Sequence, residues 1–276
     1  MRYEWLVKSV QASLLAALGA GCEAGERIRA AVDDQGPDVR SDGDCPEDAW
    51  EACTPDYQTG AWACQGQGAC GRPLMVDGAL RLAPPAGRGD WAAPLSPQAV
   101  AAADRADLVA FWRHIGALEH ASVASFSKFS LQLMALGAPA ELLAATQRAA
   151  ADEVEHARLA YGLASAYAQA PIGPGLLAIG DLAVETDPAR VAAALVDEAC
   201  VGETLGAAEA AAAAADCDAP AVAQVWRQIA ADELRHAQLG WRTLRWLLAA
   251  HPQARPAAAQ ARGASGPVCR QSPPAR

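Results

Sequence analysis

The chain is short of the side chains that build sheets. Aromatic residues make up 5% of its 276 positions and β-branched runs are few, although 52% of the chain is hydrophobic and much of that is alanine. This shortage argues against a sheet-based fold and for close-packed helices. Positive charge is also scarce: 22 Lys and Arg stand against 32 Asp and Glu, a net charge of −10, and no basic patch reverses the balance. Nucleic acid and anionic membrane surfaces are therefore excluded as charge-matched partners. No segment reads as an electron-transfer domain, so a reductant, where the chemistry needs one, is left to a separate partner.

Residues 1–22 read as an export signal. Arg2 and Lys8 supply its positive region, and Val10 to Ala20 form an apolar run far too short to span a bilayer as a mature helix. Gly19-Ala20-Gly21-Cys22 follows. Cys22 is a lipidation candidate, though Gly19 stands where a lipoprotein signal usually has leucine; ordinary cleavage nearby is the alternative. The expected location is outside the cytoplasm, either periplasmic or anchored to a membrane through Cys22. Residues 23–95 form a charged spacer and then an irregular segment holding Cys45, Cys53, Cys64 and Cys70. No Cys-x-x-Cys occurs among these four, which disfavours a rubredoxin-like or zinc-ribbon site. Two disulfides suit an exported, loop-rich stretch better, with the pairing open. Val76 to Ala93 reads as irregular chain draped on something larger.

The character changes at Ser96-Pro97, a good helix start, and residues 96–250 read as an all-α unit of four helices. Leu108, Trp112, Ile115, Glu119, Ser122, Phe126, Phe129 and Leu133 fall on one helix face. Gly137-Ala138-Pro139 turns the chain into a second helix with Leu142, Thr146, Ala149, Glu153, His156, Ala160, Leu163 and Tyr167 inward. A longer connection then runs to Thr186. Asp187-Pro188 opens a third helix, with Val196, Ala199 or Cys200, Glu203, Gly206 and Ala210 inward. These small residues let neighbouring backbones approach closely. After the Cys217–Pro220 turn, the fourth helix aligns Val222, Trp226, Ile229, Glu233, His236, Gly240, Thr243 and Leu247. Residues 251–276 are Pro/Ala/Arg-rich and are expected to be disordered.

Polar residues stand in the middle of these apolar rows. Ala231-Asp232-Glu233-Leu234-Arg235-His236-Ala237 has an earlier near-copy, Ala151-Asp152-Glu153-Val154-Glu155-His156-Ala157. Three residues is just under one helical turn, so each Glu-x-x-His places carboxylate and imidazole on one face. Glu119 precedes Glu153 by nearly the interval that separates Glu203 from Glu233, which suggests a duplicated helical hairpin. Glu119, Glu153, His156, Glu203, Glu233 and His236 thus make four carboxylates and two imidazoles at mid-helix. Uncompensated, four buried carboxylates would be costly and most would protonate. Two divalent cations cancel four negative charges, and mixed oxygen and imidazole donors suit iron or manganese.

A Glu from each of two helices and a Glu-x-x-His from each of the other two is the ligand set of ferritin-like di-iron carboxylate bundles. From Ser96 to Ala250 the sequence resembles the ferritin-like superfamily. Asp232-Glu233-Leu234-Arg235-His236 fits the Asp/Glu-Glu-x-Arg-His form of its oxygen-activating members, and Asp152 to His156 fits it except that Glu155 replaces the arginine. Glu119-His120-Ala121-Ser122 and Val201-Gly202-Glu203-Thr204 look like ligand segments of a secreted ferritin-like group. The resemblance implies a four-helix bundle with a long crossover between helix pairs and two iron ions, with manganese as the alternative. It also implies that Asp152 and Asp232 hydrogen-bond the imidazoles and fix their tautomer.

The activity this suggests is an oxygen-dependent oxidoreductase on an unidentified substrate. Ferroxidase or peroxide-detoxifying metal handling is one alternative, and a non-catalytic, metal-stabilised envelope bundle is another. A homo-oligomer is compatible with each. His114 and His120 lie off the Glu119 row and read as ordinary polar residues. Cys200 reads as a small buried residue rather than a ligand. Tyr161, Trp226 and Trp241 are explained by packing.

Overall fold

The structure, a computed structural model, describes residues 53–55, 62–64, 72 and 74–261, all within one compact unit, Cys45–Arg276. The export signal, Cys22, Cys45 and Cys70 lie outside the described residues. Strands are short. β1 (Cys53–Pro55) pairs antiparallel with β2 (Trp62–Cys64), setting Cys53 opposite Cys64 in register. β3 (Met75–Val76) and β4 (Ala79–Leu80) form a hairpin. Its two-residue turn, Asp77-Gly78, has positive φ at both positions, the geometry that Asp-Gly supplies. β5 (Pro85–Ala86) pairs with β6 (Gly173–Pro174), which fastens the pre-helical segment to the long connection far along the chain.

Helices form most of the rest: α1 (Ala102–Ala135), α2 (Ala140–Ala168), α3 (Pro188–Ala194), α4 (Glu203–Asp216), α5 (Pro220–Ala250) and α6 (Arg255–Ala261). The backbone continues from α3 to α4 as π-helix over Leu195–Gly202. α1 packs along α2, α4 and the π segment pack along α5, and α2 meets α5. No helix among the described residues is long and apolar enough to cross a membrane.

Local chemistry explains the joints. Leu136-Gly137-Ala138 closes α1 as a Schellman motif: Ala138 N–H donates to Leu133 O at 2.9 Å and Gly137 N–H to Met134 O at 3.2 Å. Gly137 takes φ +73°, free of Cβ strain. Asp187 caps α3 as expected, its carboxylate accepting from Ala189 N at 2.7 Å with Pro188 in the first turn.

Two expectations need correction. α1 begins at Ala102, not at Ser96-Pro97, and has no side-chain cap. Leu95 and Val100 instead pack on the apolar core between helices, and burial outweighs the local capping preference. Residues 252–261, expected to be disordered, are also helical: α6 lies against α3, with Ala254, Ala258 and Ala261 buried, while residues 262–276 lie outside the described residues. Small apolar residues at helical spacing gave this segment a face to bury despite its disorder-like composition.

The inward rows of α2 and α5 are buried throughout. They enclose two apolar cores. One holds Phe126, Phe129, Leu133, Leu195 and Leu244; the other holds Trp112, Ile115, Leu163, Trp226 and Ile229. The polar residues at mid-helix lie between them in sequence. Close backbone approach is visible at Gly240, where an added Cβ would fall 2.9 Å from the Ala199 Cβ in the π segment.

The pre-helical chain does lie on the helices. Ala93 N–H donates to Arg158 O at 2.9 Å, and a Cβ at Gly162 would fall 2.5 Å from the Ala93 oxygen. Gly162→Ala is therefore expected to cost about 1–3 kcal/mol by overpacking. The measurement is the denaturation midpoint at constant slope, and an unmoved midpoint would mean that this strand of chain lifts freely from α2.

Candidate metal centre

Six side chains from α1, α2, α4 and α5 meet. Atoms of Glu119, Glu153, His156 and Glu233 lie within 4.8 Å of one another, as do atoms of Glu203, Glu233 and His236. All six ligands expected from the sequence are thus brought together. Glu153, His156, Glu203, Glu233 and His236 are buried, and Glu119 is nearly so.

The arrangement has a centre and two ends. Glu153 places Oε2 3.6 Å from His156 Nδ1 and Oε1 3.1 Å from His236 Nδ1. Glu233 places Oε1 3.5 Å from His156 Nδ1 and Oε2 3.5 Å from His236 Nδ1. Both carboxylates therefore span the two imidazoles. Glu119 reaches only the His156 end, at 3.8 Å, and Glu203 groups with His236.

The outer nitrogens are held crosswise. His156 Nε2 lies 3.0 Å from Asp232, in the other copy of the repeat, and His236 Nε2 lies 3.2 Å from Asp152. Each aspartate thus supports the imidazole of the opposite helix. Arg235 bonds Asp232 and lies 3.4 Å from Asp152, so one guanidinium steadies both supports. Glu155, where the first copy lacks arginine, turns away and accepts from Arg158 at 2.7 Å.

With Nε2 committed to a carboxylate, Nδ1 is the nitrogen each histidine presents to the centre. There the hydrogen bonding stops. His156 Nδ1, His236 Nδ1, Glu153 Oε2, Glu233 Oε2 and both Glu203 oxygens are buried without a hydrogen-bond partner. Buried polar atoms left unpaired are rare and costly. Here they converge, and their chemistry is that of a donor set for a cation. These residues fit a pair of divalent ions: Glu119 and His156 at one end, Glu203 and His236 at the other, Glu153 and Glu233 between.

Protonation tells the same story. Burial pushes Glu119 up to about 8, against the pull of His156. Burial and the neighbouring Glu233 carry Glu203 well above the ordinary carboxylate range. Burial opposes charge on His156, but Asp232 and the surrounding glutamates outweigh it and raise the imidazole well above its usual value. The same balance, with Asp152 foremost, lifts His236 to about 12. Burial also opposes charge on Glu153 and Glu233, yet the imidazoles hold both below the ordinary range. Glu119, Glu203, His156 and His236 are thus all shifted toward their protonated forms, and entering divalent ions would displace protons from them.

The sign of the pH dependence follows. A metal must displace these protons, so affinity is expected to rise with pH through about 8, where Glu119 gives up its proton. It is expected to go on rising above that, because His236 holds its own proton to about 12. Each displaced proton contributes up to about one decade per pH unit. Calorimetric titration in two buffers of different ionisation enthalpy measures the release, and an affinity flat between about pH 6 and 8 would contradict it.

Comparison of the chain with family models, curated proteins and solved structures gives no match.

The remaining candidates stay outside the centre. His114 is exposed, and His120 packs edge-on against Trp91 at 4.9 Å. Cys200 is buried with its thiol pushed up by burial, and Cys217 is half-buried; both are free. Tyr161 is buried against Gly116, its hydroxyl raised to about 12 by burial. Trp226 does border the centre, lining a cavity of about 20 Å³ with Glu119, Glu203, Glu233 and Arg72. Sequence reading missed Arg72 and the π segment that leads into Glu203. Neither has a local signal: Arg72 falls in a stretch whose composition reads as irregular, and the sequence of Leu195–Gly202 does not differ from that of ordinary helix.

Proposed function

We propose that the helices form a ferritin-like four-helix bundle, with residues 169–187 as the long crossover between helix pairs, and that it binds two iron ions, with manganese the alternative. The protein is then a di-iron oxidoreductase acting on dioxygen or peroxide. The observation that carries this reading is the set of unpartnered carboxylate and imidazole atoms converging between two crosswise Asp–His pairs. When bound, an iron pair supplies electrons and Lewis acidity to a small oxidant.

The chain's own residues set the limits of that chemistry. Asp152 and Asp232 keep each Nδ1 free for metal and fix ring orientation. Glu119 and Glu203 can give up protons as metal enters. Trp226, Ile229 and Leu118 make part of the adjoining wall apolar. The leading reading is oxygen-dependent oxidation of an unidentified substrate, with Fe(II) oxidation or peroxide removal as the alternative. Export by residues 1–22, with Cys22 as the lipidation candidate, would place this activity outside the cytoplasm.

The test is to purify the chain, measure metal by elemental analysis, load it with Fe(II) without oxygen, and then admit oxygen or peroxide. About two irons per chain and a new near-ultraviolet band are expected. Two tightly held metals with no optical response to either oxidant would instead favour the structural role.

A further inference from the structure

Far from the metal centre in sequence, β1 and β2 hold two cysteines in register. Their antiparallel ladder makes Cys53 the partner of Cys64, Thr54 of Ala63 and Pro55 of Trp62. In such a ladder opposed residues alternate between pairs that exchange two hydrogen bonds and pairs that exchange none. Pro55 has no N–H to give. Pro55 and Trp62 therefore suit a non-bonded position, where proline is tolerated. Alternation then makes Thr54 and Ala63 a bonded pair, and Cys53 and Cys64 a non-bonded pair again.

That parity decides what the two cysteines can do. Non-bonded pairs bring their Cα atoms to about 4.5 Å, against about 5.5 Å for bonded ones, and set the side-chain positions closer. A disulfide requires Cα atoms about 4.4–6.8 Å apart, a range that the non-bonded pair meets. The ribbon also lacks other support of its own. Each strand has 3 residues, and a two-stranded ribbon is marginal in water even at greater length.

We infer that Cys53 and Cys64 form a disulfide across the β1–β2 ladder. The two thiols lose two electrons and two protons as their sulfurs join. A low-molecular-weight disulfide such as glutathione disulfide takes up both and leaves as two thiols. Cys45, Cys53, Cys64 and Cys70 allow three connectivities, and this bond selects one of them. Cys200 and Cys217 are free and take no part. The bond is independent of metal binding, and it staples a segment that composition alone reads as irregular.

The test equilibrates the full chain with a mixture of glutathione and glutathione disulfide, in native buffer and in concentrated urea. Remaining thiols are alkylated, and the chain is digested with chymotrypsin below neutral pH without reduction. Cleavage after Trp50, Tyr57 and Trp62 puts Cys53 and Cys64 on separate fragments. Mass spectrometry reads which fragments stay linked, and tandem fragmentation separates Cys64 from Cys70. In native buffer Cys53 is expected to be linked chiefly to Cys64. That share is expected to fall at least about threefold in urea, where Cys45 and Cys70 compete on equal terms. Cys53→Ser is expected to leave Cys64 alkylated. Linkage of Cys53 chiefly to Cys45 or Cys70 in native buffer overturns the assignment, as does alkylation of both Cys53 and Cys64. An equal share of the Cys53–Cys64 link in native buffer and in urea overturns the ladder register as its cause.

Discussion

Glu233→Ala loses both metal ions. Glu233 lies 3.5 Å from His156 Nδ1 and 3.5 Å from His236 Nδ1, so one carboxylate serves both ends of the centre. Metal content is expected to fall from about two per chain to below about 0.5. Glu119→Ala and Glu203→Ala each remove a ligand from one end and should leave about one metal. This asymmetry between middle and end carboxylates separates a shared two-metal centre from two independent sites. The metal-free Glu233→Ala chain also leaves the two raised imidazoles with Glu153 as their one remaining central carboxylate, at a cost of up to about 3–5 kcal/mol. Circular dichroism must therefore show retained helix before the metal count is read. A folded Glu233→Ala protein that still holds two metals at parental affinity would remove Glu233 from the centre.

Asp152→Ala weakens the metal on the opposite helix. In the sequence Asp152 sits beside His156, and a purely local reading would pair them. In the structure Asp152 lies 3.2 Å from His236 Nε2, while His156 Nε2 is held by Asp232 at 3.0 Å. Loss of the carboxylate behind a metal-bound histidine costs about 10–100-fold in metal affinity. The two ends can be told apart in the Glu119→Ala background, where the His236 end keeps its full set. There Asp152→Ala is expected to show the whole effect and Asp232→Ala little of it. Competition titration with a chromophoric chelator measures both. The reverse order would mean that each aspartate supports the histidine of its own helix.

Much of the centre was legible because helical periodicity is a local property. Glu153 and His156, like Glu233 and His236, are spaced to share one helix face. Glu119 and Glu203 stood out as single carboxylates inside apolar rows. All six converge as expected. What was not legible depends on distance in the chain. The crossing of Asp152 and Asp232 arises only when α2 and α5 face each other. The single arginine serves both copies for the same reason, since Arg235 reaches Asp152 at 3.4 Å across the helix pair. The missing arginine at Glu155 therefore leaves neither aspartate without support.

The fold divides in the same way. The turns at Gly137 and Asp187 carry their own chemistry and end or begin helices where expected. The start of α1 does not, because burial of Leu95 and Val100 competes with the Ser96-Pro97 cap. α6 escaped notice because alanine and proline content resembled a disordered tail, while its buried face is only Ala258 and Ala261, with Ala254 buried just before it. The π segment packs against α5 where Ala199 meets Gly240, a contact that a linear pattern does not report. Its position immediately before Glu203 matters, since π segments recur at functional sites.

The central claim is that two metal ions sit between His156 Nδ1 and His236 Nδ1, and anomalous diffraction from crystals of the iron-loaded protein tests it most directly. Data collected on either side of the iron edge should give two difference peaks, one beside each Nδ1, flanked by Glu153 and Glu233. A single peak, peaks elsewhere, or none in crystals soaked with Fe(II) at saturating concentration would contradict it.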